Sequence, residues 1–267
     1  MAYKYDQLGR VTSLKDGNGK EIGYSYDEYG RMSAITYPNG RTVKYEYDLS
    51  DRLIKVIDGK KQTSYTYDGN GNVLSCQRAD GTSTAYMYDE LSRLVSLVNM
   101  KGNKTLSNFA YTYSPSSQIT AERAVQNGKT YDKAFTYDDA GQLSEYTETT
   151  GGKTTTTTYS YDINGNRVAS VKGKKNYAIV YTYNNDGQLT EEYNQSTRTK
   201  TKYDYDENGN LTTKTAGKLV TTYDYDVENR LKAVKQGKTV LMAASYDGDG
   251  NRTFQVPAKS CPTPPKT

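Results

Sequence analysis

Apolar and polar positions alternate with period two along one class of segment in this chain. Ile22, Tyr24 and Tyr26 share one face, as do Val43, Tyr45 and Tyr47, and Thr221, Tyr223 and Tyr225. Lys44 and Glu46, or Thr222 and Asp224, fall between them on the other face. Such alternation predicts a strand with one Tyr-rich side and one solvated side. Tyr and Thr are strand formers, which agrees.

A second class of segment follows each of these and places apolar residues three apart. Val11 and Leu14, Met32 and Ile35, Leu53 and Val56, Leu94 and Leu97, Val168 and Val171, and Leu231 and Val234 are the pairs. Three is the wrong period for a flat strand, and the segments are too short for helices. A return strand with a bulge that changes which face points inward fits the spacing.

Two turn signals separate the strands. The first is Asp-x-x-Gly, as in Asp6 to Gly9, Asp138 to Gly141 and Asp162 to Gly165. Asp at the first position and Gly at the fourth predict a type I turn closed by a left-handed residue. Where Gly is absent, Asp51 and Asn229 can take that conformation. Ser92 and Ser117 do so less readily, and looser turns are expected there. The second signal lies half a repeat later, at Asp16-Gly17-Asn18-Gly19, Pro38-Asn39-Gly40, Asp58-Gly59, Asp80-Gly81, Asn127-Gly128, Gly151-Gly152, Gly217 or Gly237.

Together these elements make one phrase, Tyr-x-Tyr-Asp-x-x-Gly-(Arg/Asn)-(Leu/Val). Its second Tyr falls at Tyr5, Tyr26, Tyr47, Tyr67, Tyr88, Tyr113, Tyr137, Tyr161, Tyr183, Tyr205, Tyr225 and Tyr246. The repeat residues singled out are Tyr5, Asp6, Gly9 and Arg10; Tyr26, Asp27, Gly30 and Arg31; Tyr47 and Asp48; Tyr67, Asp68 and Gly71; and Tyr88 and Asp89. Further on they are Tyr137, Asp138 and Gly141; Tyr161, Asp162 and Gly165; Tyr205, Asp206 and Gly209; Tyr225 and Asp226; and Tyr246, Asp247 and Gly250.

Repeats take precedence in reading fold class. Two turns per copy mean two strands per copy, hence an all-β chain of antiparallel β-hairpin repeats over residues 1–256. About two dozen strands at ~4.8 Å each would make a very wide sheet, and wide sheets twist and curl. A curled or spiral ribbon is expected, a partial hollow shell with a Tyr-lined wall. Ile119 to Val125 reads as a short helical turn, and Thr154 to Thr158 as a polar β-prone run. Residues 257–267, with four of the six prolines, read as an extended, disordered tail.

Composition sharpens this picture. Only 34% of the 267 residues are hydrophobic, and Tyr supplies 28 residues against three Phe and no Trp. Burial must therefore come largely from Tyr rings. The net charge of +4 is mild, with cations and anions interleaved, which argues against a nucleic-acid partner. No apolar run is long enough for a membrane span. The phrase begins at Tyr3 with no signal peptide before it, which leads to the expectation of a piece from a longer chain. Cys76 and Cys261 read as a small strand filler and a tail residue rather than a disulfide.

Candidate chemistry is sparse. No His is present, which removes His-dependent triads and imidazole metal sites. The Asp residues sit at turns, where hydrogen bonds to the turn backbone account for them; no catalytic group and no cofactor is expected. Asp247-Gly248-Asp249-Gly250-Asn251 resembles the start of a calcium loop, but Ala258 stands where that loop needs Glu. A Tyr-lined wall suits sugar stacking, while cross-strand Tyr pairing explains the same residues structurally. Unpaired strands at either end of an open ribbon would invite edge-to-edge self-association.

The phrase resembles the YD repeat of the RHS-repeat proteins, related to bacterial wall-associated proteins, the Tc-toxin BC cocoon and the teneurin shell. The resemblance covers residues 3–254. It implies a β-ribbon wound into a shell around a C-terminal toxin or effector, so the implied partner is that segment or the remaining shell of a parent protein. A cell-surface glycan is the alternative partner. The implied location is secreted or on a bacterial cell surface. The family's plug domain carries an Asp-Pro-x-Gly-like signature, and no Asp-Pro occurs here.

Overall fold

Thr42–Tyr47 and Leu53–Asp58 show how one copy is built. They pair antiparallel with Tyr45 opposite Val56 and Tyr47 opposite Leu53, and the register slips by one residue between Glu46 and Tyr47. Residues directly opposite one another share a sheet face. Leu53 and Val56 therefore both lie on the Tyr face although they are three apart, because Ile54 is the extra residue of a bulge. The same slip precedes Tyr5, Tyr26, Tyr67, Tyr113, Tyr161, Tyr205 and Tyr246.

The structure, a computed structural model, describes residues 2–173 and 177–257. Among them are 24 strands and no helix. The protein is thus all-β, built of antiparallel hairpin repeats. It divides into two compact units, Met1–Ala134 with Glu148–Lys153, and Phe135–Thr147 with Thr154–Thr267. In the first, consecutive strands pair in chain order from Ala2–Tyr5 to Lys129–Tyr137. In the second they do so from Lys153–Tyr161 to Arg252–Pro257. Pro257 ends the last strand; the rest of the Pro-rich segment, with Cys261, lies outside the described residues.

The two turn classes differ in geometry. In the phrase turn at Asp27, the Asp27 N–H donates to Arg31 O at 2.8 Å and the Gly30 N–H donates to Asp27 O at 3.0 Å. This is the bulged five-residue connection that Asp-x-x-Gly predicts. The intervening turns at Asp16 and Tyr37 repeat it, whereas several later ones shorten to two-residue loops, as between Asp58 and Lys61 or Gln126 and Lys129.

Two expectations are corrected. Ile119–Gln126 is a strand rather than a helical turn. It pairs on one side with Ser107–Tyr113 and on the other with Lys129–Ala134, so its peptide groups are satisfied by neighbours. A seven-residue helix has no such support. The Ser turns are not looser than the Gly turns: Ser92 and Ser117 take φ of 58° and 64°. Their N–H groups close the turns at 2.9 and 3.0 Å, matching Gly30 at 3.0 Å. The cause lies in the neighbouring copy and is described below.

No large side chain is fully buried among the described residues. The buried apolar set is small in size: Val43, Cys76, Ala124, Ala178, Ala233, Ala243 and Ala244. Ala124 is 2% exposed and lies opposite Phe109 on one side and Tyr131 on the other. At this position a small residue stands between two aromatic ones. Ala124→Leu should overpack this row and cost about 1–3 kcal/mol, read as a lowered thermal midpoint. An unchanged midpoint would contradict the strand placement of this segment.

Candidate functional site

A carboxylate at the start of a tight turn faces several peptide N–H groups that have no strand partner. In the phrase turn Asp6 Oδ1 accepts from the Leu8 and Arg10 N–H groups, each at 2.9 Å, and Oδ2 accepts from Arg10 Nε at 2.7 Å. Asp27, Asp48, Asp89 and Asp226 repeat this with Arg31, Arg52, Arg93 and Arg230. Asp68, Asp162, Asp206 and Asp247 use the side-chain amides of Asn72, Asn166, Asn210 and Asn251 instead. Asp138 keeps the backbone bonds, to Ala140 and Gln142. Ser114 offers a single Oγ to the Gln118 N–H at 3.1 Å, so that copy keeps only part of the arrangement.

The phrase Arg then reaches the next copy. Arg31 Nη1 donates to Asp48 O at 2.9 Å, and Arg52 Nη1 to Asp68 O at 3.0 Å. Arg93 and Arg230 do the same to Ser114 O and Asp247 O. Each guanidinium also lies over the second Tyr of the next copy. The distances to the ring centroid are 4.5 Å for Arg10 over Tyr26, 4.9 Å for Arg31 over Tyr47 and 4.8 Å for Arg52 over Tyr67. Arg93 over Tyr113 and Arg230 over Tyr246 complete the set at 4.7 and 4.9 Å. These are cation–π distances.

That same Tyr reaches back. Tyr26, Tyr47, Tyr67, Tyr88 and Tyr113 donate their phenol O–H to the carbonyls of Val11, Met32, Leu53, Val73 and Leu94. Tyr161, Tyr205 and Tyr246 do so to Leu143, Leu189 and Leu231, and Tyr183 to Arg167. In every case the acceptor stands six residues after the preceding copy's second Tyr, at the bulged start of the return strand. The bulge exposes a carbonyl, and the phenol takes it.

This linkage explains the Ser turns. The left-handed residue of one turn sits under the Arg or Asn of the copy before it. A Cβ on Gly30 would stand 3.3 Å from Arg10 Nη1. Where a side chain is present it accepts a hydrogen bond instead: Asp51 from Arg31, Ser92 from Asn72, Ser117 from Arg93 and Asn229 from Asn210. Each non-Gly residue at that position is compensated from the neighbouring copy. The sequence held a signal for this, since all four non-Gly residues there are hydrogen-bonding types.

The calcium-like stretch is spent in the same way. Asp247 Oδ1 accepts from the Asp249 and Asn251 N–H groups at 3.1 and 2.8 Å, so that oxygen faces protein donors. Among the described residues no group of three or more His, Cys, Asp or Glu side chains is placed to hold a metal ion. Cys76 is buried and free. No helix is long and apolar enough to cross a membrane among the described residues, which leaves strands unaddressed.

The ionisable groups follow from these contacts. The Asp6, Asp48 and Asp89 carboxyls are held below their ordinary value of 3.8, first by the N–H of the residue four positions on and then by its guanidinium. Asp68, Asp162 and Asp206 are lowered first by their Asn amide. Burial raises the phenols of Tyr67, Tyr88, Tyr161 and Tyr205 above 10.0. Burial and the nearby Glu192 carboxylate push Tyr203 up to about 12.

Comparison with known proteins places this pattern. Residues 5–42, 183–219 and 205–239 match the RHS Repeat family, and residues 41–101 match the Teneurin YD-shell family. No curated protein matches the chain. Among solved structures it resembles the crystal structure of TcdB2-TccC3-TEV, with a TM-score of 0.67 at 16% identity over 94% of this chain and 15% of that one. It also resembles TcdB2-TccC3-Cdc42, with a TM-score of 0.63 at 15% identity over 94% of this chain and 16% of that one. A third is TcdB2-TccC3 without its hypervariable C-terminal region, at 0.62 and 16% over 92% of this chain and 16% of that one. The chain spans about a sixth of their length, and at this identity the likeness is one of fold.

The pH dependence follows in sign. Carboxylates with lowered values in the folded state stabilise it above their unfolded value and lose that contribution as pH falls through the folded value. Phenols with raised values stabilise below about 10 and lose the contribution as pH rises past it. With no His to titrate, the thermal midpoint should stay level from roughly pH 5 to 8. It should fall below about pH 4 and above about pH 10. A midpoint that drops between pH 5 and 8 would contradict this assignment.

Proposed function

Because the chain belongs to the RHS/YD-repeat family, we propose that it is a section of a structural shell that encloses or displays a C-terminal toxin or effector segment outside the cell. The observation that supports this best is where the repeat's polar groups go. Its Asp, Arg and phenol groups are bound to one another and to the backbone, copy after copy, so the repeat serves the wall itself. Tyr45 and Tyr65 on the Tyr face are only half-buried, and in this reading that face is the surface an enclosed segment would meet. Residues 1–256 form the array in this reading, and further shell strands or a second copy add by edge pairing.

Glycan binding on the Tyr face is the second reading. It rests on the first Tyr of each copy, such as Tyr24, Tyr45 and Tyr65, whose rings are half-buried on that face. Nine second-Tyr phenols are already bound to carbonyls, which leaves that reading fewer polar groups.

Limited proteolysis of the natural gene product, followed by mass spectrometry, separates the two. The shell reading expects a segment outside the repeats to resist cleavage until the repeats are denatured. A segment cut as fast as the free peptide, or none at all, would overturn it. Saturable binding to a glycan panel that Tyr24→Ala and Tyr45→Ala abolish would favour the surface module instead.

A further inference from the structure

Four neighbouring strands of the first unit bring charged groups together on the Tyr face, at the strand ends away from the phrase turns. Val43 lies opposite Asp58, Asp58 opposite Lys61, and Thr63 opposite Arg78. Val56 lies opposite both Tyr45 and Thr63. Cross-strand partners share a face, as do alternate residues of one strand, so all of these stand on the side of Tyr45. Arg41, two residues before Val43, joins them by binding Asp58. They border an open cleft of about 510 Å³, flanked by Val43 and Val56, with Asp80 added from the next turn.

The carboxylates here are already engaged. Asp58 accepts from Arg41 Nε at 2.8 Å and from Arg41 Nη2 at 2.6 Å, one oxygen each. Asp80 Oδ1 accepts from the Thr82 N–H at 2.9 Å and from the Thr82 hydroxyl at 2.6 Å. Two of the cations are not engaged in this way: among the described residues no ion pair involves Lys61 or Arg78. Arg78 is held from one side, where its Nη1 donates to the Thr84 hydroxyl at 3.2 Å and that hydroxyl donates to Asn99 Oδ1 at 2.8 Å. Thr84 is 3% exposed, so this support is built into the sheet and leaves the rest of the guanidinium fork unused. Lys61 and Arg78 are diagonal neighbours, about 7–8 Å apart at their bases and within reach of one group. Arg41, Lys61 and Arg78 exceed Asp58 and Asp80 by one charge, so a monoanion balances the cleft and a dianion reverses its sign. The valine flank suits methylene groups.

We propose that this cleft binds the carboxylate of a glutamate side chain in an acidic peptide segment. Lys61 and Arg78 take the carboxylate oxygens, and the side-chain methylenes lie against Val43 and Val56. Binding of this kind needs only the four strands, and it stands whether or not the Tyr face is enclosed.

The test titrates the whole chain with acetyl-Ala-Glu-Ala-amide at constant ionic strength, following amide shifts at residues 41–43, 56–63 and 78–82. Saturable shifts are expected at those positions, and none with acetyl-Ala-Gln-Ala-amide. Lys61→Gln and Arg78→Gln should each weaken binding about tenfold or more, since each removes a charge-assisted hydrogen bond. Lys61 is exposed, so its variant leaves the strands intact. Lys44→Gln removes the same charge from the opposite face and should leave the affinity unchanged. No saturable shift, equal affinity for the Gln peptide, or a loss in Lys44→Gln as large as that in Lys61→Gln would overturn the site. Tighter binding of the phosphoserine peptide would overturn the carboxylate as its ligand.

Discussion

The fold rests on a three-way contact between successive copies: turn carboxylate, arginine and the next copy's tyrosine. Arg31 shows it whole. Its Nε is bound by Asp27 at 2.7 Å, its Nη1 donates to the next turn's Asp48 carbonyl at 2.9 Å, and its face covers the Tyr47 ring. Tyr47 then donates its phenol to Met32 O, so each copy holds the one before it and is held by it. An exposed ion pair is worth little alone. Here it is fixed by stacking and by backbone bonds, and it recurs.

Stability of this kind has a particular distribution. With no large side chain fully buried among the described residues, it cannot be assigned to a central core. It is instead close to a sum of nearest-neighbour terms, as in other repeat proteins. The terms are unequal. Copies with Arg at the clamp position stitch turn to turn, whereas Gln118, Gln142, Asn166 and Gln188 stand there in the middle of the chain. The phenol-to-carbonyl bond persists through that stretch, at Tyr161, Tyr183 and Tyr205. The Tyr bond is thus the more widely shared contact and the Arg the variable one.

Much of this was legible in the sequence. Alternation around Tyr45 and Tyr47 gave the strand face, and the three-residue step from Leu53 to Val56 gave the bulge, because both are local consequences of strand geometry. Asp-x-x-Gly gave the turn for the same reason. What depends on a contact twenty residues away was not legible. Nothing local distinguishes Ser117 in a loose turn from Ser117 held by Arg93, and nothing local assigns the phrase Arg a partner in the next copy. Ile119 to Val125 was misread for a related reason: its strand pairing is supplied by flanking segments.

A double-mutant cycle on one Arg–Tyr pair tests the central claim most directly. Arg52 and Tyr67 suit it, since Arg52 lies 4.8 Å from the Tyr67 ring centroid. Arg52→Ala, Tyr67→Ala and the double variant are compared by urea denaturation. The account predicts a coupling of about 0.5–1 kcal/mol or more, with the double variant less destabilised than the sum of the singles. Additivity within error would contradict it, and would return the repeat to a set of independent hairpins.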